Sequence, residues 1–503
     1  MSALNRLSAL SIRKDRTVKT KRIPTLLAAA LVGALAFATT SSQAEEVNTR
    51  IGKIETINGF PTAEAAKKIF DESDFQRATQ AYLWALPAVG FHGLHLSHLN
   101  TFGAKDGEVV LYVTLKDKAG MLTPNLTTIY AMSFWNLEIQ GPLVIIVPAG
   151  ASAGGVLDIW QRPITDVGQT GPDKGQGGKF LVLAPGTPDP QNSEFITVRS
   201  KSNQIWFATR GLGADPAAAE ATVRKYKLYA YDERPNPPAT KFIPVGDKTW
   251  SSEQPRDLKY WEYLHDVLAL EVPEERDRFF HGMMLPLGIV QGKPFAPTES
   301  QKKVLTEAAV LGDLLGRLTA YSKRVEGTEV WPGKHWEYAL MVELDQTYKG
   351  YGQIDERGSW FYEAIGNTVG MQGRTLGFGQ LYLEAQKDKT GAWLDGGKNY
   401  HLHVPPNPPV ELFWSFTIYD NLTRGPMITP QGAADISSRT KGLVVNTDGS
   451  VDLYFGPQKP AGANANYVMT MPKKGWFTYF RFYGPKEAYF DKSWQLPDLE
   501  EVK

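Results

Sequence analysis

A chain without cysteine must do its chemistry with carboxylates, imidazoles, hydroxyls and guanidiniums. This one has 503 residues, no Cys and only 8 His. Thiolate nucleophiles, disulfides, Cys-ligated zinc and iron–sulfur clusters are therefore excluded. The first carboxylate candidates lie in the Gly-rich stretch from Val156 to Gly178, where Asp158 and Asp166 flank Trp160 and Arg162. Two carboxyls about 5–10 Å apart can act as acid and base in hydrolysis. Asp345, Asp355, Glu356 and Glu363 form a second acidic group. His92, His95 and His98 recur every third residue, which on a helix spreads them over one side. His401-x-His403 reads as strand, so both rings point to one face. These two are the candidates for a metal, but no His follows them and a cupin-type site needs a further Glu and His. The expectation is no metal and no other cofactor. No Ser–His–Asp triad is indicated, and the Gly-rich runs at 150–155 and 175–178 lack the Lys-Ser/Thr of a phosphate-binding loop. Trp135, Trp160, Trp206, Trp360, Trp393 and Trp414 fall in or beside strands and loops. Aromatic platforms of this kind stack sugar rings or apolar ligands.

Elements must hold these groups in place. Thr62 can cap a helix, and Ser73-x-x-Gln76 is a capping box opening another that Pro87 stops or kinks. From residue 108 to 210, β-branched and aromatic runs alternate with Gly, Pro, Asn and Asp, the pattern of an antiparallel sandwich. Asp215-Pro216 and Thr298-x-x-Gln301 are helix starts, so the chain turns helical again. From about 375 it is all β, with Asp448-Gly449 as a hairpin signal. The expected class is α+β: two antiparallel jelly-roll-like β-sandwich domains with helical N-terminal and intervening segments. The expected boundaries are 1–44 for targeting, 45–100 helical, 101–212 β, 213–345 helical and 346–503 β.

Several runs carry a family resemblance. Thr123-Pro124-Asn125-Leu126-Thr127-Thr128-Ile129-Tyr130, followed by the strand Leu143–Pro148, resembles the DUF1254 signature. Phe413-Trp414-Ser415-Phe416-Thr417-Ile418-Tyr419-Asp420, then Asn446-x-Asp448-Gly449-Ser450, Arg481-Phe482-Tyr483-Gly484-Pro485 and Ser493-Trp494, resembles DUF1214. The resemblance implies a secreted bacterial chain with jelly-roll-like domains and no agreed reaction. Thr127 stands where the DUF1254 motif usually has Asp. The segment Ala434-Asp435-Ile436-Ser437-Ser438-Arg439 matches the Gly-Asp-Arg of DUF1214 poorly.

Residues 1–22 carry seven Lys and Arg, an apolar stretch runs from Ile23 to Phe37, and Ser42-Gln43-Ala44 follows. This is the pattern of a secretory signal peptide cleaved after Ala44, so a periplasmic or secreted protein without stable membrane insertion is expected. The whole chain balances 54 basic against 54 acidic residues, but seven of those bases and only one acid lie in residues 1–44. The remainder is mildly acidic, which argues against a nucleic-acid partner. The expected function is hydrolysis of a small organic or glycan-like ligand in a cleft between the β domains. Asp166 would be the base, with Asp158 as its carboxylate partner, and Asn125 or Arg162 would stabilise developing negative charge. Tyr130, Trp160, Arg374, Trp414, Tyr419 and Arg481 would bind the ligand. The alternative is a non-catalytic carbohydrate- or envelope-binding protein. A homo-oligomer is compatible with either.

Overall fold

The computed structural model describes residues 44–502 except 374, 462, 464 and 465. They form two compact units, one reaching to Ala66 and one beginning at Lys67. The proposed signal peptide, apart from Ala44, lies outside the described residues.

In the first unit, Ala44–Thr49, Gly52–Ile57 and Phe60–Pro61 form a three-stranded antiparallel sheet. This corrects the expectation of helix from residue 45. Asn58 and Gly59 both have positive φ, 54° and 82°. That combination makes a type I′ turn, whose twist matches paired strands. Ile54 and Thr56, two apart on the middle strand, are its buried positions.

The helix Ala63–Leu96 is one element of 34 residues, not two. Pro87 does not stop it. An interior proline costs about 3 kcal/mol, but every residue from Tyr82 to Phe91 is buried and packing outweighs that cost.

From Lys67 onward the molecule is α+β. One six-stranded sheet has the order Phe242–Pro244, Val109–Tyr112, Ile129–Asn136, Gln204–Gly211, Ser152–Asp158, Pro163–Gly168. It faces a four-stranded sheet ordered Ile196–Arg199, Gly178–Leu183, Leu143–Val147, Lys227–Ala230. Ile129, Ala131, Ile205 and Phe207 from the first meet Ile145, Phe180 and Val182 from the second in one buried cluster. The C-terminal region repeats the arrangement. A five-stranded sheet, Glu337–Tyr338, Gln380–Ala385, Trp476–Pro485, Val410–Asp420, Asp435–Ser437, faces a four-stranded one, Tyr467–Met469, Val451–Gly456, Asn399–Val404, Glu500–Val502. Leu381, Leu383, Phe416, Phe480 and Phe482 pack there on Leu402, Leu453 and Phe455.

Two expectations are corrected. The pairing is not purely antiparallel: Ile196–Arg199, Phe242–Pro244 and Tyr467–Met469 pair in parallel. All three are short edge strands, reached by long connections that can return the chain in either direction. The segment 213–345 is also not wholly helical. It holds the helices Pro216–Val223, Leu258–Ala269, Arg278–Met284 and Glu299–Tyr321, but Lys227–Ala230 and Phe242–Pro244 return to complete sheet edges.

Both large sheets are covered on their second faces too. Alternate residues of a strand point to opposite faces. Opposite Ile205 and Phe207 stand Trp206, Ala208 and Arg210; opposite Phe480 and Phe482 stand Tyr479 and Arg481. These second faces join a third apolar cluster with Ala63–Leu96, Leu258–Ala269, Glu299–Tyr321 and the helix Ile354–Glu363. A strand buried on both faces loses the polar alternation of a half-exposed one, which explains the run Phe-Trp-Ser-Phe-Thr-Ile-Tyr from Phe413.

Candidate functional site: a cavity between the second faces of two sheets

The third cluster is not filled. A cavity of about 810 Å³, counting its mouth, opens between the second faces of the two large sheets. Tyr130 and Met132, Trp206, Ala208 and Arg210, and Leu157 come from the six-stranded sheet; Gln380 and Tyr382, and Tyr479 and Arg481, come from the five-stranded one. Residues 363–371, which follow the helix Ile354–Glu363, supply Ala364, Ile365, Thr368 and Met371. Gly154 leaves room where the strands come close: a Cβ there would sit 2.1 Å from the Ala208 carbonyl oxygen.

Two guanidiniums face this apolar space. Arg481 is 1% exposed. Its Nη1 donates to Thr417 Oγ1 at 3.2 Å and its Nη2 to the Thr123 carbonyl at 3.0 Å, while its Nε has no hydrogen-bond partner. The rings of Tyr479, Tyr382 and Tyr419 surround it with centroids 4.9, 5.2 and 5.6 Å away. Arg210 lies 5.7 Å from the centroid of Tyr130, with the Tyr382 hydroxyl in hydrogen-bond reach. Tyr382 thus stands between the two arginines. Among the described residues neither arginine has a carboxylate within 4.0 Å. Asp435 acts on Arg481 from farther away, and it shares its charge with the buried Lys118. Burial pushes Lys118 down to about 8, against the pull of Asp435.

Two wall residues are strained. Thr123 and Leu340 have φ of +40° and +62°, a region that L side chains rarely adopt. Thr123 Oγ1 donates to the Glu363 carbonyl at 2.8 Å, and Leu340 N–H donates to Glu363 Oε2 at 2.8 Å. Glu363 shares Lys323 with two further acids: the lysine Nζ lies 3.0 Å from Glu363, 3.1 Å from Glu384 and 3.1 Å from Glu337. Burial raises Glu384 to about 7, opposed chiefly by Lys323. Strain of this kind is held only where the surroundings over-determine it, often at ligand sites.

The residues singled out from sequence part company here. Tyr130 and Arg481 line the cavity. Tyr419 backs Arg481 and donates its hydroxyl proton to the Pro124 carbonyl at 2.7 Å. Asn125 shapes the adjoining turn: its Oδ1 accepts from Thr127 and Thr128 N–H at 2.8 and 2.9 Å, and its Nδ2 donates to Ser415 Oγ at 3.0 Å. Thr127, at the position where the DUF1254 motif usually has Asp, donates to Asp435 Oδ2 at 3.3 Å. Asp166 sits behind the wall. Its oxygens accept from Gly370 N–H at 2.9 Å and Val369 N–H at 3.3 Å, and burial raises it to about 6 against those bonds and others from Thr170 and Thr368.

Asp158 and Arg162 are elsewhere. Arg162 Nε donates to Asp158 at 2.6 Å, and its other nitrogens reach Glu274. Trp160, beside them, packs on Trp84 at 4.9 Å and under Arg357 at 4.6 Å. Trp414 is stacked on Phe480 inside the C-terminal core. Arg374 lies outside the described residues. His401 Nε2 and His403 Nδ1 both hydrogen-bond Asp452 Oδ1, at 2.8 and 2.9 Å. Burial opposes the Asp452 charge, but bonds from His403, Asn446 and His401 outweigh it and hold the group at about 2. Among the described residues no group of three or more His, Asp or Glu is arranged to hold a metal. Gly150-Ala151-Ser152-Ala153-Gly154 does fit the Gly-x-Ser-x-Gly pattern. Ser152, however, opens a strand, is fully buried, and shares a 2.7 Å hydrogen bond with the Tyr226 hydroxyl rather than with a His.

Sequence reasoning passed over Arg210, Tyr382 and Tyr479. One signal was present: Arg210 is a lone charge at the end of the apolar run Ile205–Phe207, in phase with Trp206 and Ala208.

Comparison with known proteins adds the following. Residues 109–230 match DUF1254 and residues 379–487 match DUF1214, each described as a protein of unknown function. No curated protein matches the chain. The crystal structure of the VPA0106 protein from Vibrio parahaemolyticus is similar, with a TM-score of 0.55 at 17% identity, over 86% of this chain and 100% of that one. An uncharacterized protein from Burkholderia cenocepacia aligns with a TM-score of 0.37 at 12% identity, over 88% of this chain and 97% of that one. The first likeness concerns the fold alone. Tyr130 and Arg210 fall in the first matched segment, and Tyr382, Tyr479 and Arg481 in the second. The chain carries a DUF1254 domain followed by a DUF1214 domain, and the cavity is lined by both.

Proposed function

We propose that this chain binds a small organic molecule in the cavity between its DUF1254 and DUF1214 domains. The observation that carries the reading is the cavity itself, largely apolar with a few converging polar groups. Small-molecule sites are commonly concave and mostly apolar, with a small number of placed polar groups. The binding reading is favoured over the hydrolytic one because the lining offers no free acid–base pair. Glu363 is engaged by Lys323 and the Leu340 N–H. One observation favours hydrolysis instead: Asp166 is raised to about 6, within the range of a general base. Against it, its oxygens are occupied by hydrogen bonds and it stands behind Thr368. The export signal read in residues 1–44 makes the cell envelope or the medium the proposed place of action. We also read each pair of facing sheets as a jelly-roll-like sandwich.

Calorimetric titration with octanamide, octanoate, 2-naphthamide and 2-naphthoate tests the proposal. At least one should bind, and Ala208→Phe, which places a ring in the cavity, should weaken it at least tenfold. Absence of binding by all four, or indifference to Ala208→Phe, would overturn the proposal.

A further inference from the structure

We infer that the ligand is an organic carboxylic acid whose carboxylate is held between Arg210 and Arg481, with its apolar body against Trp206 and Met132. The inference deepens the proposed binding role and rests on the cavity being the ligand site.

A guanidinium is permanently charged and carries five N–H donors. Withdrawing such a charge from water is costly unless a counter-charge and hydrogen bonds compensate. Arg162 shows that this fold can supply acids to a buried arginine, since Asp158 and Glu274 both reach it. Arg210 and Arg481 receive tyrosine rings and neutral oxygens instead. Arg481 donates to Thr417 and Thr123, the Tyr419 hydroxyl is in hydrogen-bond reach, and its buried Nε has no partner.

The nearby acids are engaged by other cations. Asp435 and Asp117 act on Lys118, and Glu363, Glu384 and Glu337 surround Lys323. Neither Arg210 nor Arg481 has a carboxylate within 4.0 Å among the described residues. The Thr123 carbonyl, turned by a strained backbone, fixes one edge of the Arg481 fork. A planar carboxylate matches such a fork with two parallel bonds. A neutral sugar would leave both charges unanswered. The rest of the wall, Met132, Leu157, Trp206, Ile365 and Met371, asks for an apolar body.

The test compares each acid with its own amide, which has the same shape and no charge. At pH 7 the wild-type chain should bind octanoate at least tenfold tighter than octanamide, and 2-naphthoate tighter than 2-naphthamide by a similar factor. Arg210→Met and Arg481→Met should each erase most of that preference while amide binding persists. Arg481→Lys, which keeps the charge but not the fork, should retain part of it, and near-ultraviolet circular dichroism checks that each variant is folded. If the wild type binds amide and acid equally well, the carboxylate inference falls and the binding role stands. If none of the four binds, both fall. If folded Arg210→Met and Arg481→Met both keep the full preference, the assignment to these two residues is wrong.

Discussion

Arg162 and Arg481 are both withdrawn from water, yet their surroundings differ in kind. Arg162 is clasped by Asp158 and Glu274 at the end of the six-stranded sheet. Arg481 stands among tyrosines beside the cavity, with one nitrogen unpartnered. The first pair is closed, because each charge has its opposite and nothing further is asked of a ligand. The second is open. Arg357 and Arg424 are also buried with unpartnered nitrogens, and what sets Arg481 apart from them is that it lines the cavity. Asp158 and Asp166 differ in a similar way on one short segment. Asp158 has a cation to offset its burial, whereas Asp166 has only neutral donors and is pushed up to about 6.

The contrast can be broken by substitution. Arg162→Met should have the largest effect. It strands Asp158 in the interior, while Glu274 is partly exposed and keeps Arg276 at 3.7 Å, and losing one partner of a buried pair costs about 3–5 kcal/mol. Urea unfolding would measure it, and a loss under about 1 kcal/mol would show that the pair is not closed in the sense argued.

Asp166→Asn should act through pH. The folded state holds this carboxyl above its ordinary range, so the folded chain binds the proton more tightly than the unfolded one. The stabilisation from protonation is complete below about pH 4 and is lost as pH rises through about 6. Asparagine cannot titrate. Between pH 4 and pH 7 the stability difference should therefore move in favour of the variant, by up to about 3 kcal/mol. Parallel stability curves for the two proteins would remove the assignment.

Arg481→Met should have the smallest effect on stability, about 1–2 kcal/mol, because it breaks no ion pair and gives up bonds to neutral oxygens, chiefly those of Thr417 and Thr123. Its consequence belongs in ligand binding. A stability loss as large as that of Arg162→Met would make Arg481 a structural residue and close the distinction between the two sites.

Much of this architecture was legible in the residues. The sheet–helix–sheet order after residue 100, the caps at Asp215 and Thr298, and the two domain motifs all follow from local patterns. Those motifs also contain Tyr130 and Arg481. Other features were hidden for physical reasons. The Asn58-Gly59 turn is a local signal that a helical reading of the neighbouring residues obscures. Pro87 stays helical only because its surroundings are packed, which no local rule contains. The turn at Asp448-Gly449 forms, with Gly449 N–H donating to the Asn446 carbonyl at 2.9 Å, but residues 443–446 do not pair as a strand before it. The site needed tertiary information above all. When a strand is apolar on both faces, its alternation no longer tells which face meets its own core, so Arg210 could not be matched with Arg481 across 271 residues.

The double burial of the large sheets has a consequence for how such a protein can change. Along Trp476–Pro485, Phe480 and Phe482 hold the domain together while Tyr479 and Arg481 face the cavity; along Ile129–Asn136, Ile129 and Ala131 do the first job and Tyr130 and Met132 the second. Stability and selectivity are thus written on alternate letters of the same strands. A library varied only at positions 130, 132, 208, 210, 382 and 479 would leave both sheet cores intact, and the scaffold could exchange one ligand for another without learning to fold again.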